Sequence, residues 1–126
     1  MFHQIIIAGR LGKDQEGRYT PDGKFISNFS VAVDDGYGDR KKTIWIRCSM
    51  FGERAEKVAQ YLNKGQVVLV TGRLNATETG ECRVWTDNSG KVHASFEMVV
   101  SDLKLMPGGP RGEQQEEAPA ADVVPF

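Results

Sequence analysis

Nothing in the 126 residues approaches the roughly 18 consecutive apolar residues of a membrane span. The opening MFHQIIIAGR lacks a basic leader and has too short an apolar run for a signal peptide, so a soluble, intracellular chain is expected. Cysteine is nearly missing: Cys48 and Cys82 stand alone, with no second Cys or His near either at metal-ligand spacing. Reduced thiols are therefore expected in place of a disulfide or zinc site, with no metal and no cofactor. Histidine is as sparse, and His3 and His93 lie far apart without adjacent nucleophiles. No carboxylate pair is placed as a hydrolase needs it, so no catalytic residue is assigned and the chain is not expected to be an enzyme. Gly36 and Gly38 begin a G-x-G pattern, but the third glycine is absent and no helix follows, which argues against a dinucleotide site.

What is present suits one domain with a short appendage. Hydrophobic residues make up 40% of the chain, enough for a core. The net charge of −1 hides an asymmetry: residues 1–106 hold 15 Lys and Arg against 13 acids, whereas residues 107–126 hold one Arg against four. A modestly basic body and an acidic tail point to two partners of opposite character. The tail, PGGPRGEQQEEAPAADVVPF, is rich in Gly, Pro, Glu and Gln without apolar periodicity, and reads as disordered. Its last five residues, Asp122, Val123, Val124, Pro125 and Phe126, carry apolar and aromatic groups that a solubilising tail does not need.

Along the body, Gln4 to Leu11 reads as a strand buried on both faces, with Gly9 and Gly12 letting it bend. Thr20-Pro21-Asp22-Gly23 is a turn that ends the first loop. Phe25 to Val33 alternates as a second strand, with Phe25, Ser27, Phe29, Val31 and Val33 opposed to Ile26, Asn28, Ser30 and Ala32. Asp34 to Lys42 is a polar loop holding Tyr37 and three consecutive bases, Arg40, Lys41 and Lys42, either a clasp for a phosphate backbone or a solvated hairpin tip. Glu53 to Asn63 is the one clear helix: Ala55, Val58, Ala59 and Leu62 share a face, and Gly65 suits its C-terminal end. Gln66 to Leu74 is a further strand. Asn75 to Val92 reads as a protruding hairpin turning at DNSG, with Trp85 either on the open arm or folded back on the body. Ser95 to Met106 closes the fold, with Phe96, Met98 and Val100 on one face.

The central stretch, Thr43 to Phe51, separates at a period of two into Ile44, Ile46, Cys48 and Met50 on one face and Trp45, Arg47, Ser49 and Phe51 on the other. Two aromatics flanking an arginine on a water-facing side make a flat, positively charged platform on which unpaired bases stack. The competing reading buries both faces.

Three strands, a helix, then two strands with an elaborated hairpin between them is the order of the OB-fold. The segments IIIAGRLGKDQEGRYTPDG, TIWIRCSMFGERAEKVAQYLNKG, VTGRL and WTDNSG and the final Pro-Phe, in this order over nearly the whole chain, resemble the bacterial single-stranded DNA-binding (SSB) proteins. The resemblance implies an all-β, five-stranded OB-fold barrel with one helix between strands 3 and 4, over residues 1–106, followed by a tail at 107–126. It also implies a homotetramer that binds single-stranded DNA with little sequence preference, protects it, and recruits replication, recombination and repair proteins in the bacterial cytoplasm, at the nucleoid. Carried over by motif, Trp45 and Phe51 in W-x-R-x-x-x-F and Trp85 in WTDxSG are stacking residues, with Tyr37 as a fourth. Arg18, Arg47 and Arg73 would contact phosphates, helped by Lys41, Lys42, Arg83 and Lys91. The tip Asp122 to Phe126 would bind partner proteins, Pro125 and Phe126 entering an apolar pocket. Two departures stand out: Asn75 to Cys82 is longer than usual for the family, and the tip has one Asp where several are usual. The alternatives are a primosomal replication-restart protein, which lacks an acidic Pro-Phe tail, and an OB-fold nuclease or carbohydrate-binding module.

Overall fold

The computed structural model describes residues 1–107, so the expected tail and its tip, Pro107 apart, lie outside the described residues. Among the described residues seven strands are formed. They are β1 (Ile5–Leu11), β2 (Glu16–Tyr19), β3 (Phe25–Asp35), β4 (Lys42–Phe51), β5 (Val67–Leu74), β6 (Arg83–Thr86) and β7 (Val92–Met106), with one helix, α1 (Glu53–Ala59), between β4 and β5.

Five of the strands close on themselves. β1 pairs antiparallel with β5 from Ile5–Gly72 to Arg10–Val67, and its last two residues cross to β3 at Ala32 and Val31. β3 pairs with β4, β4 runs parallel to β7 from Ile46–Phe96 to Ser49–Val99, and β7 returns to β5. The circuit β1-β5-β7-β4-β3 is thus a barrel, which leaves few open backbone edges. Closure needs a close approach where β1 switches partners: a Cβ on Gly9 would collide with the carbonyl oxygen of Ala32. Gly9 serves that crossing.

Inside the barrel lie Leu11, Phe29, Val31, Cys48, Met50, Val68, Val70, Met98, Val100 and Leu103, joined by Ala55 and Leu62 from the helical segment. These are the inward positions of the period-two strands, and α1 packs on β3 and β4 through Ala55. The expected inward set of β4 is buried or half-buried, and Trp45, Arg47 and Phe51 point out.

Several expectations change. β1 is not buried on both faces: Ile6 is 62% exposed, because the wall of a single barrel has a core on one side only. The first loop contains β2, whose Glu16 to Tyr19 pair with Asn28 to Phe25; EGRY is short and fully exposed and carries no apolar alternation. The loop after Val33 is shorter than expected, since β3 and β4 pair out to Asp35–Lys42 and enclose a single 3₁₀ turn at Gly38–Arg40. The helix ends at Ala59 instead of Asn63. Its apolar face continues as tighter turns, with Tyr61 N–H donating to Val58 O (2.8 Å) and Leu62 N–H to Ala59 O (3.1 Å), which still bury Leu62 completely. Gly65, at φ 89°, ends that irregular turn and not the helix. β7 starts at Val92, three residues before the expected Ser95, because its first four residues pair with β6 to form the arm.

Candidate nucleic-acid interface

Residues paired across neighbouring strands point to the same side, so the registers lay out the outer surface row by row. Phe51 (49% exposed) sits opposite Ile26, which sits opposite Arg18 of β2. Ser49 lies between Asn28 and Val99, and Val99 also faces Arg73 of β5. Arg47 lies between Ser30 and Glu97. Trp45 (52% exposed) faces Ala32, and its indole rests on Gly12: a Cβ there would lie 2.5 Å from Trp45 Cζ3. Gly12 is therefore the seat of the indole, a different role from the bend expected of it.

The arm extends this face. Beyond Thr86 the chain turns through Asp87 to Gly90, with Asp87 N–H donating to Lys91 O (2.9 Å) and Gly90 at φ 88°, as DNSG predicts. Arg83 pairs with Ser95 and Trp85 with His93. The arm is tied to β4 by the Arg47 guanidinium, 5.2 Å from the centre of the Trp85 ring, a cation–π contact. Trp85 is 37% exposed and stacks on His93 at 5.3 Å and 22°. It neither stands clear of the protein nor enters the core, and it joins the surface that carries Arg47.

Two adjoining grooves cross this surface. Lys13, Arg18, Arg47 and Arg83 line the first, with Glu16, Glu97, Asn28, Ser30, Ser49 and Asn75. Its acids are already matched: Lys13 Nζ is 3.4 Å from Glu16 Oε2, and Arg83 Nε is 3.3 Å from Glu97 Oε2. Arg18 has no ion pair among the described residues, and Arg47 only the contact with Trp85, so the groove keeps a positive surplus. Its floor is neutral and polar, with Ser49 Oγ donating to Asn28 Oδ1 at 2.8 Å. Cys48, between Arg47 and Ser49 in sequence, points the other way into the core, where burial pushes its thiol up to about 12 and keeps it protonated and unreactive. The second groove is lined by Lys42, Trp45, Arg47 and Phe96 among others.

The remaining expected site residues, Lys42 excepted, fall outside these grooves, and so do Phe51 and Trp85. Lys41 and Lys42 stand near Asp34 (3.8 Å) and Asp35 (3.9 Å), so the basic loop is largely neutralised by its own hairpin, although Lys42 still reaches the second groove. Tyr37 is 88% exposed beside them. Arg73 shares the outer row of Ser49, and Lys91 is exposed at the arm tip. Lys13, Asn28, Ser30, Asn75 and Phe96 join the surface without having been singled out. Asn28 and Ser30 were legible as the polar face of β3. Phe96 shares a face with the buried Met98 and Val100, yet it is 63% exposed, because it pairs with Ile46 at the rim of the barrel, beyond the last β5 partner at Leu74–Met98.

Among the described residues no three His, Cys, Asp or Glu side chains cluster as a metal site, and no helix is long and apolar enough to cross a membrane. A closed five-stranded barrel with a helix between its third and fourth strands, and an open face carrying aromatics and arginines, defines an OB-fold of the oligonucleotide-binding type. Within that class the chain belongs to the Single-strand binding protein family, matched over residues 2–106. Two curated relatives, each called a single-stranded DNA-binding protein, come from Neisseria meningitidis serogroup A and serogroup B. Each is 33% identical over 122 residues, an alignment that covers 93% of this chain and 66% of the relative. The chain thus spans just under two thirds of the length of those relatives.

Proposed function

We propose that the protein binds single-stranded DNA with little sequence preference, protects it, and brings replication, recombination and repair enzymes to it without catalysing a reaction. The observation that carries this reading is the shared outer face of Trp45, Arg47, Phe51 and Trp85. Flat rings that are partly exposed accept any base with a free face, and bases in a duplex have none to offer. The basic groove beside them neutralises phosphates irrespective of sequence. Arg18, Arg47 and Arg83 take the phosphates that pass over the stacked bases, with Arg73, Lys91, Lys41, Lys42 and Tyr37 at the margins. Residues 1–106 act as the DNA-binding domain, and residues 107–126 as the segment that recruits partners through Asp122 to Phe126.

Self-association as a homotetramer belongs to the same proposal. Ile6, Leu74, Val84 and Val92 are each more than half exposed, and packing against further copies of the chain would take them out of water. Light scattering with and without poly(dT) reports the subunit number, and a monomer in both conditions would remove this part. The test of the main reading is fluorescence polarisation of labelled dT oligonucleotides and of a duplex of equal length over a salt series. Much tighter binding of the single strand is expected, and equal affinity for both would refute it.

A further inference from the structure

Trp85 stands on a two-stranded arm, and such a hairpin holds a large ring loosely unless something braces it. The brace is visible in a chain of three contacts. Asp87 Oδ1 accepts from the backbone N–H of Ser89 (2.9 Å) and Lys91 (3.0 Å) and from the Ser89 hydroxyl (2.7 Å), so the turn fixes the carboxylate. Asp87 Oδ2 lies 2.7 Å from His93 Nε2, so the carboxylate fixes the imidazole. The imidazole lies nearly parallel to the Trp85 indole, 5.3 Å between centres, and the two residues are register partners. Asp87 and His93 are only half-buried, each side chain 35% exposed, so the pair is not a piece of core.

We propose that His93, held by Asp87, is a positioning residue for DNA binding: it braces the Trp85 indole beside Arg47, so that an unpaired base meets a ring already in place. The benefit is preorganisation. A ring that must be immobilised on binding loses affinity, and a ring held beforehand does not. The inference rests on the reading of Trp85 as a stacking residue given above. Asp87 ties the turn through its own backbone contacts, so removing the imidazole spares the hairpin.

The test is a double-mutant cycle on the full chain with a labelled dT oligonucleotide. Trp85→Ala is expected to weaken binding about tenfold, as for the loss of one stacked base. His93→Ala weakens it about three- to fivefold, a fraction of that loss, and adds nothing once Trp85 is Ala, since the two act through one ring. Asp87→Asn, which keeps an oxygen for the turn and takes the carboxylate from His93, shows the same dependence on Trp85. In a Trp45→Phe background, where Trp85 is the only tryptophan, His93→Ala lowers the tryptophan anisotropy of free protein at an unchanged melting temperature. Wild-type affinity for His93→Ala, or an equal loss with and without Trp85, overturns the brace and leaves the stacking reading intact. Unchanged affinity for Trp85→Ala in a protein that still binds the oligonucleotide removes the stacking role of Trp85, and the brace with it.

Discussion

Gly12→Ala tests the seat of the stacking platform without deleting any aromatic. The new methyl carbon would lie 2.5 Å from Cζ3 and 2.7 Å from Cη2 of Trp45, against an ordinary carbon–carbon contact of about 3.5–4.0 Å. The indole must therefore retreat by about 1 Å or turn on its bonds. The backbone at Gly12 has no positive φ that would forbid alanine, and the obstacle is a half-exposed side chain, so the barrel yields at little cost. An off-rotamer indole costs about 0.5–1.5 kcal/mol of stability. Stacking on the displaced ring loses part of the ~1–3 kcal/mol that one base contributes, which at 1.4 kcal/mol per tenfold is expected as roughly a three- to tenfold weaker dissociation constant. The assay is polarisation of a labelled dT oligonucleotide, with emission from a Trp85→Phe background to follow Trp45 alone. The substitution should shift that emission in free protein, and its effect on binding should vanish when Trp45 is Ala. Unchanged affinity together with an unchanged Trp45 spectrum would refute the claim that Gly12 seats the indole and that the seat serves binding.

Three further outcomes follow from the same structure. A thiol reagent applied to native protein should label Cys82, which is exposed, and spare Cys48, which is 1% exposed with its thiol pushed up to about 12; equal labelling by mass spectrometry would contradict the packed barrel. The Asp87 carboxyl is lowered from 3.8 to about 2, first by the hydrogen bond to His93 and then by that from Ser89. Its contribution to the arm is therefore complete above about pH 4 and lost as the pH falls through about 2; in Trp45→Phe, Trp85 emission should follow that course, and Asp87→Asn should flatten it. A chain ending at Met106 should keep its DNA affinity and lose partner recovery from a bacterial lysate, and deleting Phe126 alone should lose nearly as much; equal recovery by all three proteins would leave the tail without a recruiting role.

The outer face of β4 was legible because the strand is long and regular enough for its period-two pattern to be unambiguous: Trp45, Arg47 and Phe51 alternate with Ile46, Cys48 and Met50, and burial follows that alternation. Contacts between distant segments were not legible. Arg47 meets Trp85 because β4 runs parallel to β7 and β7 extends into the arm, two facts that join residues 38 positions apart and leave no local signature. β2 leaves no mark in the sequence, since Glu16 to Tyr19 are all exposed and are held by backbone pairing to β3. The helical pattern through Leu62 was right about burial and wrong about helix length, because tighter turns keep Leu62 inward as an α-helical turn would. Gly12 could not be read as a seat, since the ring it accommodates lies 33 residues further along the chain.

The central claim is that single-stranded DNA lies across the outer face of the barrel and the arm with its bases on Trp45, Phe51 and Trp85. Photocrosslinking with oligonucleotides carrying 5-iododeoxyuridine, followed by peptide mass spectrometry, tests it most directly, because this base reacts with the aromatic ring on which it is stacked. Adducts concentrated on Trp45, Phe51 and Trp85, and abolished by unlabelled single strand but not by duplex, are the predicted result. Adducts concentrated instead on Tyr19, whose hydroxyl donates to Glu56 of α1, or on Tyr61, just beyond that helix, would place the DNA elsewhere and contradict the account.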